Sequence, residues 1–168
     1  MTLACLELTP RWRSPVTVYL LALLVGIIAG LRAFTAPAVV SWAAALGWLN
    51  LDGSWLAFLG YRFTPYVFTV LALVEFVTDQ LPSTPSRKVP MQFAPRLLSG
   101  ALSGAAVGVS SGQLAGGLLA GVVGAVVGTL GGAEARGRLA ASFGKDRPAA
   151  LIEDAVAILA GALVLGAL

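Results

Sequence analysis

The sequence predicts an all-α fold, a polytopic membrane helix bundle of five transmembrane helices, or alternatively six, formed by residues 1–168 as a single domain. Three observations predict it. Apolar residues make up 58% of the 168 residues and charged residues only 11%, whereas a soluble domain carries about 25% charged residues. Apolar segments close to the roughly 20 residues that a spanning helix needs recur along the chain. Most charges lie at the N-terminus or between these segments.

Six apolar segments are the candidate spans. The first segment begins at Pro15, and the third begins at residue 63 or, alternatively, at Trp55. In chain order the segments are 15–31, 34–49, 63–77, 97–109, 114–130 and 149–168.

Basic residues in two of the connections orient the chain. Cytoplasmic loops of membrane proteins carry an excess of Lys and Arg, so loops 79–96 and 132–147 are predicted to be cytoplasmic. Residues 97–130 between them then cross twice as a hairpin that turns at 110–113, and the C-terminus lies outside. The basic residues behind this prediction are Arg87, Lys88, Arg96, Arg136, Arg138, Lys145 and Arg147.

The N-terminal third allows two arrangements. Arg11 and Arg13 favour a cytoplasmic N-terminus, which requires residues 15–49 to cross once and makes five spans in total. The alternative has two crossings in this region and six in total, with Arg32 at a cytoplasmic turn and the N-terminus outside.

Glycines recur at every fourth position in the C-terminal half. Residues four apart share one face of a helix, and glycine on that face lets two helices approach closely in a membrane. This pattern predicts tight packing within the chain, or alternatively a face for self-association into a homo-oligomer. The packing face comprises Gly100, Gly104, Gly108, Gly124 and Gly128.

A faint internal repeat relates residues 15–80 to residues 113–168. The glycine spacing of 26–30 matches that of 124–128, and an acidic helix follows later in each half. With five spans the two glycine helices cross in opposite directions, as in the inverted-topology repeats of many transporters.

Ionisable residues inside apolar segments form the candidate site. Such residues cost at least ~2.5 kcal/mol each at the centre of a membrane helix, so they usually face a cavity or a partner. Arg32 is the natural counter-charge to four acids, and together they predict a polar pocket; the alternative is a set of ion pairs that fixes helix register. The candidate pocket comprises Arg32, Glu75, Asp79, Glu153 and Asp154.

Two further features concern the backbone and the membrane surface. Thr35 and Pro37 predict a helix break beside Arg32, because threonine is a good N-cap and proline suits a first turn. Arg87 and Lys88 are candidate contacts to lipid headgroups, or alternatively determine topology alone.

The absence of histidine, with a single cysteine at Cys5, excludes several classes of site. These include disulfide frameworks, Cys/His zinc sites and Ser-His or Cys-His nucleophiles. The glycine-rich segments also lack the G-K-[ST] ending of a phosphate-binding P-loop. We therefore expect no metal, cofactor or nucleic acid. The apolar composition leads us to expect membrane lipids as partners.

Two motifs resemble a known family. The string GLRAFTAP at 30–37 resembles the G-L-R-A-F-x-x-P signature of a bacterial family of small multi-pass integral membrane proteins of unknown function. The string LVEFVTDQLP at 73–82 is similar to that family's E-x-x-x-D-K-x-P signature, with Gln80 in place of the lysine. The resemblance implies a bacterial plasma (inner) membrane protein without assigning an activity. The positions that match its motifs are Arg32, Phe34, Pro37, Glu75, Asp79 and Pro82.

Three functional hypotheses follow. The first is a small transporter or channel-like protein for an unidentified ion or small molecule; the second is a structural or assembly protein that associates through its glycine faces. The third is a lipid-modifying membrane enzyme that uses paired acids. A cavity at Arg32 and Glu75 favours transport, a closed ion pair favours a structural role, and an accessible pair of acids favours an enzyme.

Overall fold

A computed structural model describes residues 14–80 and 89–168, and every regular element in these two ranges is helical. The predicted all-α class is therefore confirmed. A short 3-10 helix at Trp55–Gly60 lies between the second and third α-helices. The α-helices are α1 Pro15–Leu31, α2 Thr35–Ala45, α3 Thr64–Thr78, α4 Pro90–Val109, α5 Leu114–Phe143 and α6 Asp146–Ala167.

Local sequence explains where several helices begin and end. The Ser14 hydroxyl accepts a hydrogen bond from the Thr17 backbone N–H, and Pro15 occupies the first turn of α1, as expected at a helix start. Gly144 follows α5 with φ +65°, a left-handed conformation that glycine adopts without steric cost. The chain therefore leaves α5 and enters α6 within two residues.

Helices α1, α4 and α5 pack at backbone distance through glycines. A methyl group on Gly104 would overlap the backbone of Gly117 and Gly121, and one on Gly26 would overlap Gly121. Such close approach is how helices associate where no hydrophobic effect acts between them. Gly100, Gly104 and Gly108 all face α5, and Gly124 and Gly128 face α1, so both series pack helices within one chain.

Helices α4 and α5 form the predicted hairpin, which turns at 110–113. Gly100 lies against Gly121, whereas Gly108 lies against Gln113, so the two helices are antiparallel. Gly112 in the turn has φ +71°. The spacing of four continues across this turn because each helix contributes part of the series.

Helix α1 runs parallel to α5, which contradicts the inverted repeat. The Tyr19 hydroxyl donates to Gln113 Oε1 at 2.8 Å near the start of α5. Further along both helices, Gly26 lies against Gly121 and Gly30 against Ala125. The glycine segments 26–30 and 124–128 therefore run in the same direction.

The chain reverses direction between α1 and α2. Trp42 near the end of α2 donates to Thr69 near the start of α3, whereas the residues before α2 contact Glu75 near the end of α3. Because α3 ends beside α5 at Arg136, α2 runs opposite to α1. Residues 15–49 therefore do not form the single long or broken helix that one crossing of this region assumes. The extended backbone of Arg32, with φ −142° and ψ 112°, interrupts the helix where the reversal begins.

The region 132–147 is mostly helix, which corrects its prediction as a loop. Helix α5 continues through Arg136 and Arg138 to Phe143, because Ala, Arg, Glu and Leu in this stretch are strong helix formers. Its 30 residues span about 45 Å at 1.5 Å per residue. This exceeds the roughly 30 Å hydrocarbon core of a bilayer.

Helices α5 and α6 are long and apolar enough to cross a membrane, whereas α1, α2 and α3 are apolar but shorter. Large apolar side chains also lie on the outside of the bundle: Leu163 is 75% exposed and Leu98 is 71% exposed. These features associate the chain with a membrane.

Candidate functional site

Seven charged residues lie close together around the break between α1 and α2. We call this set the charge cluster, and we call the part of the bundle that contains it the charged end. Members come from the break after α1, the last turn of α3, the first half of α4, the last third of α5 and the first half of α6. The charge cluster comprises Arg32, Glu75, Asp79, Arg96, Arg136, Glu153 and Asp154.

Arg32 is fully buried and joins two helices. Its guanidinium forms ion pairs with Asp79 at the end of α3 and with Asp154 on α6. Its Cζ also lies 5.5 Å from the centre of the Phe76 ring, within the range of a cation–π contact. Arg32 was expected to face Glu75 and Glu153, but its ion pairs are with Asp79 and Asp154. Glu75 lies beside Arg96 instead, and Glu153 lies beside Arg136.

Glu75 binds the backbone at the start of α2. Its Oε1 accepts from the Ala33 N–H at 2.7 Å, and its Oε2 accepts from the Phe34 N–H at 2.9 Å. The carboxylate is 8% exposed and lies at the positive end of the α2 dipole, where a negative charge is favoured. Glu75 therefore does from α3 what an N-cap side chain ordinarily does from within the helix.

Thr35 does not cap α2, contrary to the prediction. It is the first helical residue, the N-cap position is Phe34, and Phe34 makes no side-chain capping hydrogen bond. Pro37 lies in the first turn, where its missing N–H leaves no bond broken. The predicted helix break is therefore present, but the tertiary contact to Glu75 satisfies its amides.

Arg96 is a central member of the cluster that sequence reasoning placed in the loop 79–96 as an orientation signal. It lies inside α4 and is 1% exposed. Its Nη1 donates to the carbonyl oxygens of Gly30 at 2.9 Å and Leu31 at 2.5 Å. Its Nη2 lies 3.4 Å from Asp79 Oδ2 and 3.6 Å from Glu75 Oε1.

A sequence signal for Arg96 existed. Arg96 precedes Gly100 by four residues, so it extends the same helix face that carries Gly104 and Gly108. A face that packs tightly inside the bundle brings its arginine inside as well.

Two hydroxyl groups bind backbone carbonyl oxygens at the break between α1 and α2. The Ser99 hydroxyl donates to the Ala33 carbonyl oxygen, and the Thr129 hydroxyl reaches the Gly30 carbonyl oxygen at 3.3 Å. The backbone groups freed by the interruption after Leu31 are thus bonded to side chains of α3, α4 and α5. A broken helix at membrane depth is tolerated only with such protein or water partners.

Arg136 links the cluster to the outer part of the charged end. It forms two hydrogen bonds to the Asp146 carboxylate, at 2.9 and 2.5 Å, and donates to the Asp79 carbonyl oxygen at 3.3 Å. Its Nη1 lies 3.6 Å from Glu153 Oε2. Gln80, which stands where the resembled family has a lysine, lies 3.4 Å from Asp154 Oδ2.

Three cavities surround the cluster without opening onto its centre. One of about 420 Å³ is lined mainly by α4, including Ser99, together with Phe34, Trp55 and Phe68. One of about 190 Å³ lies beside Thr35 and Phe76. A third, of about 120 Å³, is lined by Arg136 and Glu153.

The centre of the cluster is closed. Arg32 and Glu75 line none of these three cavities. The acidic residues at positions 75, 79, 153 and 154 are each at most 9% exposed.

Arg87, Lys88 and Pro82 lie outside the described residues, as do Arg11, Arg13 and Cys5. Comparison with known proteins adds no further information on the site: no protein-family model, curated protein or solved structure matches the chain. The resemblance of strings 30–37 and 73–82 to a membrane protein family therefore stays a prediction.

Proposed function

We propose that the protein is a small multi-pass membrane protein that moves an ion or a small charged solute, with the charge cluster as the binding centre in a closed conformation. One observation carries the proposal. At the turn around Arg32, the carbonyl end of α1 faces Arg96 and the amide end of α2 faces Glu75. Helix ends that point at charged groups in this way also form the substrate and ion sites of many transporters.

The cost of burying the cluster supports a functional role. Ion pairs are weak evidence for stability, because desolvation offsets much of their attraction. Ionisable residues within apolar helices usually mark a pathway for substrate or ions. Arg32 and Arg96 are both at most 1% exposed, so their desolvation is complete in this conformation.

We further propose a bacterial inner membrane location with six crossings. The charged end, where Arg136, Arg138, Lys145 and Arg147 lie, is then cytoplasmic under the positive-inside rule. Both chain termini lie outside in this arrangement, because α1 begins and α6 ends at the opposite end of the bundle. Arg87 and Lys88, which lie outside the described residues, are proposed to contact lipid headgroups on that side.

Electrical recording on reconstituted protein tests the transport proposal. Proteoliposomes adsorbed on a solid-supported membrane are exposed to rapid steps of proton, sodium, potassium, chloride, formate or phosphate concentration. At least one step is expected to produce a transient current that empty liposomes lack. Wild-type protein that responds to none of these ions contradicts the proposal.

Matched variants connect the current to the cluster. Arg32→Ala and Glu75→Gln are expected to abolish it, whereas Arg138→Ala is expected to retain it because Arg138 is 79% exposed. Currents are compared only for variants that fold like wild type, as judged by the same gel-filtration elution volume and the same incorporation into liposomes. Retained currents in both cluster variants would show that the ion takes another route.

A structural or assembly role is the second candidate. The observation in its favour is that the cluster is closed: Arg32 and Glu75 line none of the three cavities around it, and a closed ion pair is the arrangement expected of a structural role. The test is rescue of a deletion strain by each variant. If Gly104→Leu fails to rescue while Arg32→Ala and Glu75→Gln rescue, the protein works through helix packing and the polar pocket is not required.

A further inference from the structure

We propose that the break between α1 and α2 is an oxyanion-binding site that Glu75 occupies in the closed conformation, and that the solute which replaces Glu75 is a small carboxylate- or phosphate-type anion. The inference deepens the proposed transport function and rests on it for its physiological role. The binding site itself is testable without transport.

The contacts of Glu75 are those of a bound anion. Two consecutive backbone amides, Ala33 and Phe34, each donate to a different carboxylate oxygen, at 2.7 and 2.9 Å. Arg96 Nη2 lies 3.6 Å from the oxygen that Ala33 holds. Amides at a helix start that converge on an oxyanion, with a guanidinium nearby, are a recurrent arrangement for carboxylate and phosphate recognition.

Two buried polar atoms next to these amides are left over. Within residues 14–80 and 89–168, Arg32 Nε and Thr35 Oγ1 have no hydrogen-bond partner, although Arg32 is fully buried and Thr35 is 7% exposed. Both residues flank Ala33 and Phe34 in the chain. Buried donors without acceptors are costly. The two oxygens of Glu75 do not satisfy these groups. A free carboxylate is not held by a side chain and can turn an oxygen toward them, and a phosphate-type anion brings two further oxygens.

Exchange of Glu75 for a free anion couples binding to movement. Glu75 is attached to α3, so its departure from the amides releases the contact that joins the end of α3 to the start of α2. The same departure exposes Arg96, which also lies 3.4 Å from Asp79 on α3. An anion that takes the amides therefore stabilises a conformation in which α3 has separated from the break.

Chemical rescue tests the site. Glu75→Ala removes the tethered carboxylate and leaves the two amides and Arg96 without it. Thermal unfolding of the purified variant is measured in chloride, formate and phosphate at equal ionic strength. We expect formate and phosphate to raise the Tm of Glu75→Ala by several degrees in a saturable manner, and to change the wild-type Tm much less because Glu75 already fills the site.

Leu56→Ala is the matched control. Leu56 is fully buried in the 3-10 helix, so its truncation destabilises the bundle without freeing amides or a guanidinium. If the three anions affect Glu75→Ala no more than Leu56→Ala, the inference is wrong. Where Glu75→Ala cannot be purified, Glu75→Ser gives the same readout, since its side chain is too short to reach the two amides.

The outcomes separate this inference from transport. Rescue by formate or phosphate without any current in the reconstituted wild type supports the anion site and contradicts transport. A cation-driven current without rescue supports transport and contradicts the anion site.

Discussion

Arg96 bonds two backbone carbonyl groups of the break, as Glu75 bonds two of its backbone amides. Its guanidinium holds the last two carbonyl groups of the α1 region and lies beside Asp79 and Glu75. Removal of one partner from a buried ionic network leaves the others desolvated and uncompensated, which costs about 3–5 kcal/mol. Arg96 is therefore the residue at which stability and the proposed site depend on the same contacts.

We predict that Arg96→Met lowers the free energy of unfolding by about 3–5 kcal/mol, measured by denaturation in detergent micelles. Arg138→Ala is the control, because Arg138 is 79% exposed and pairs with Glu134 one turn away. Surface pairs of this kind contribute about 0.3–0.5 kcal/mol. Equal losses in the two variants would contradict the assignment of Arg96 to the core of the cluster.

Helix α5 holds the bundle together at the scale of elements. Gly117 and Gly121 bring it against α4, and Gly124 and Gly128 bring it against α1. Because the contacts are between backbones, the helices cannot accommodate a side chain by a rotamer change. Other glycines of the same helix, Gly131 among them, have open space around them.

We predict opposite effects of the same substitution at two positions of α5. Gly121→Ala places a methyl group on the Gly100 carbonyl oxygen and is expected to destabilise the protein by about 1–3 kcal/mol, as overpacking does. Gly131→Ala meets no neighbour within 4 Å and is expected to stabilise by up to about 1 kcal/mol through helix propensity. Thermal unfolding of both variants measures the difference, and a neutral Gly121→Ala would show that α4 and α5 lie further apart.

The whole molecule is organised by the directions of its helices. Parallel packing of α1 and α5 places the start of α1 beside the α4–α5 turn. The C-terminal ends of α1 and α3 and the N-terminal ends of α4 and α6 lie together at the charged end. Consecutive α-helices from α1 to α6 therefore run in alternating directions, which is the basis of the six crossings proposed above.

Cysteine labelling tests this arrangement in cells. In a Cys5→Ser background, Ser14→Cys and Asp52→Cys are expected to react with a membrane-impermeant maleimide from outside, and Lys145→Cys only after the membrane is opened. All three residues are exposed. Protection of position 14 together with position 145 would restore the arrangement of five crossings and would be incompatible with a parallel α1 and α5.

Several features were predictable because they depend on nearby residues. Glycine spacing identified the packing face, since a period of four residues is a property of one helix. Arg32 and Asp154 were identified because a charge within an apolar run is visible without a partner. Arg96 was assigned to a loop because hydropathy falls around it, although its helix carries it into the bundle.

Composition and hydropathy by themselves determined the helical class, the apolar environment and the identities of most charged residues that are buried. Each of these properties depends on residues that are close together in the sequence, so it can be read without knowing the tertiary contacts. Only the tertiary structure decided that α1 lies parallel to α5, that Arg96 binds the Gly30 and Leu31 carbonyls, and that Glu75 rather than Thr35 satisfies the start of α2. The physical reason is that each joins residues more than 40 positions apart, where packing distance and desolvation choose the partner.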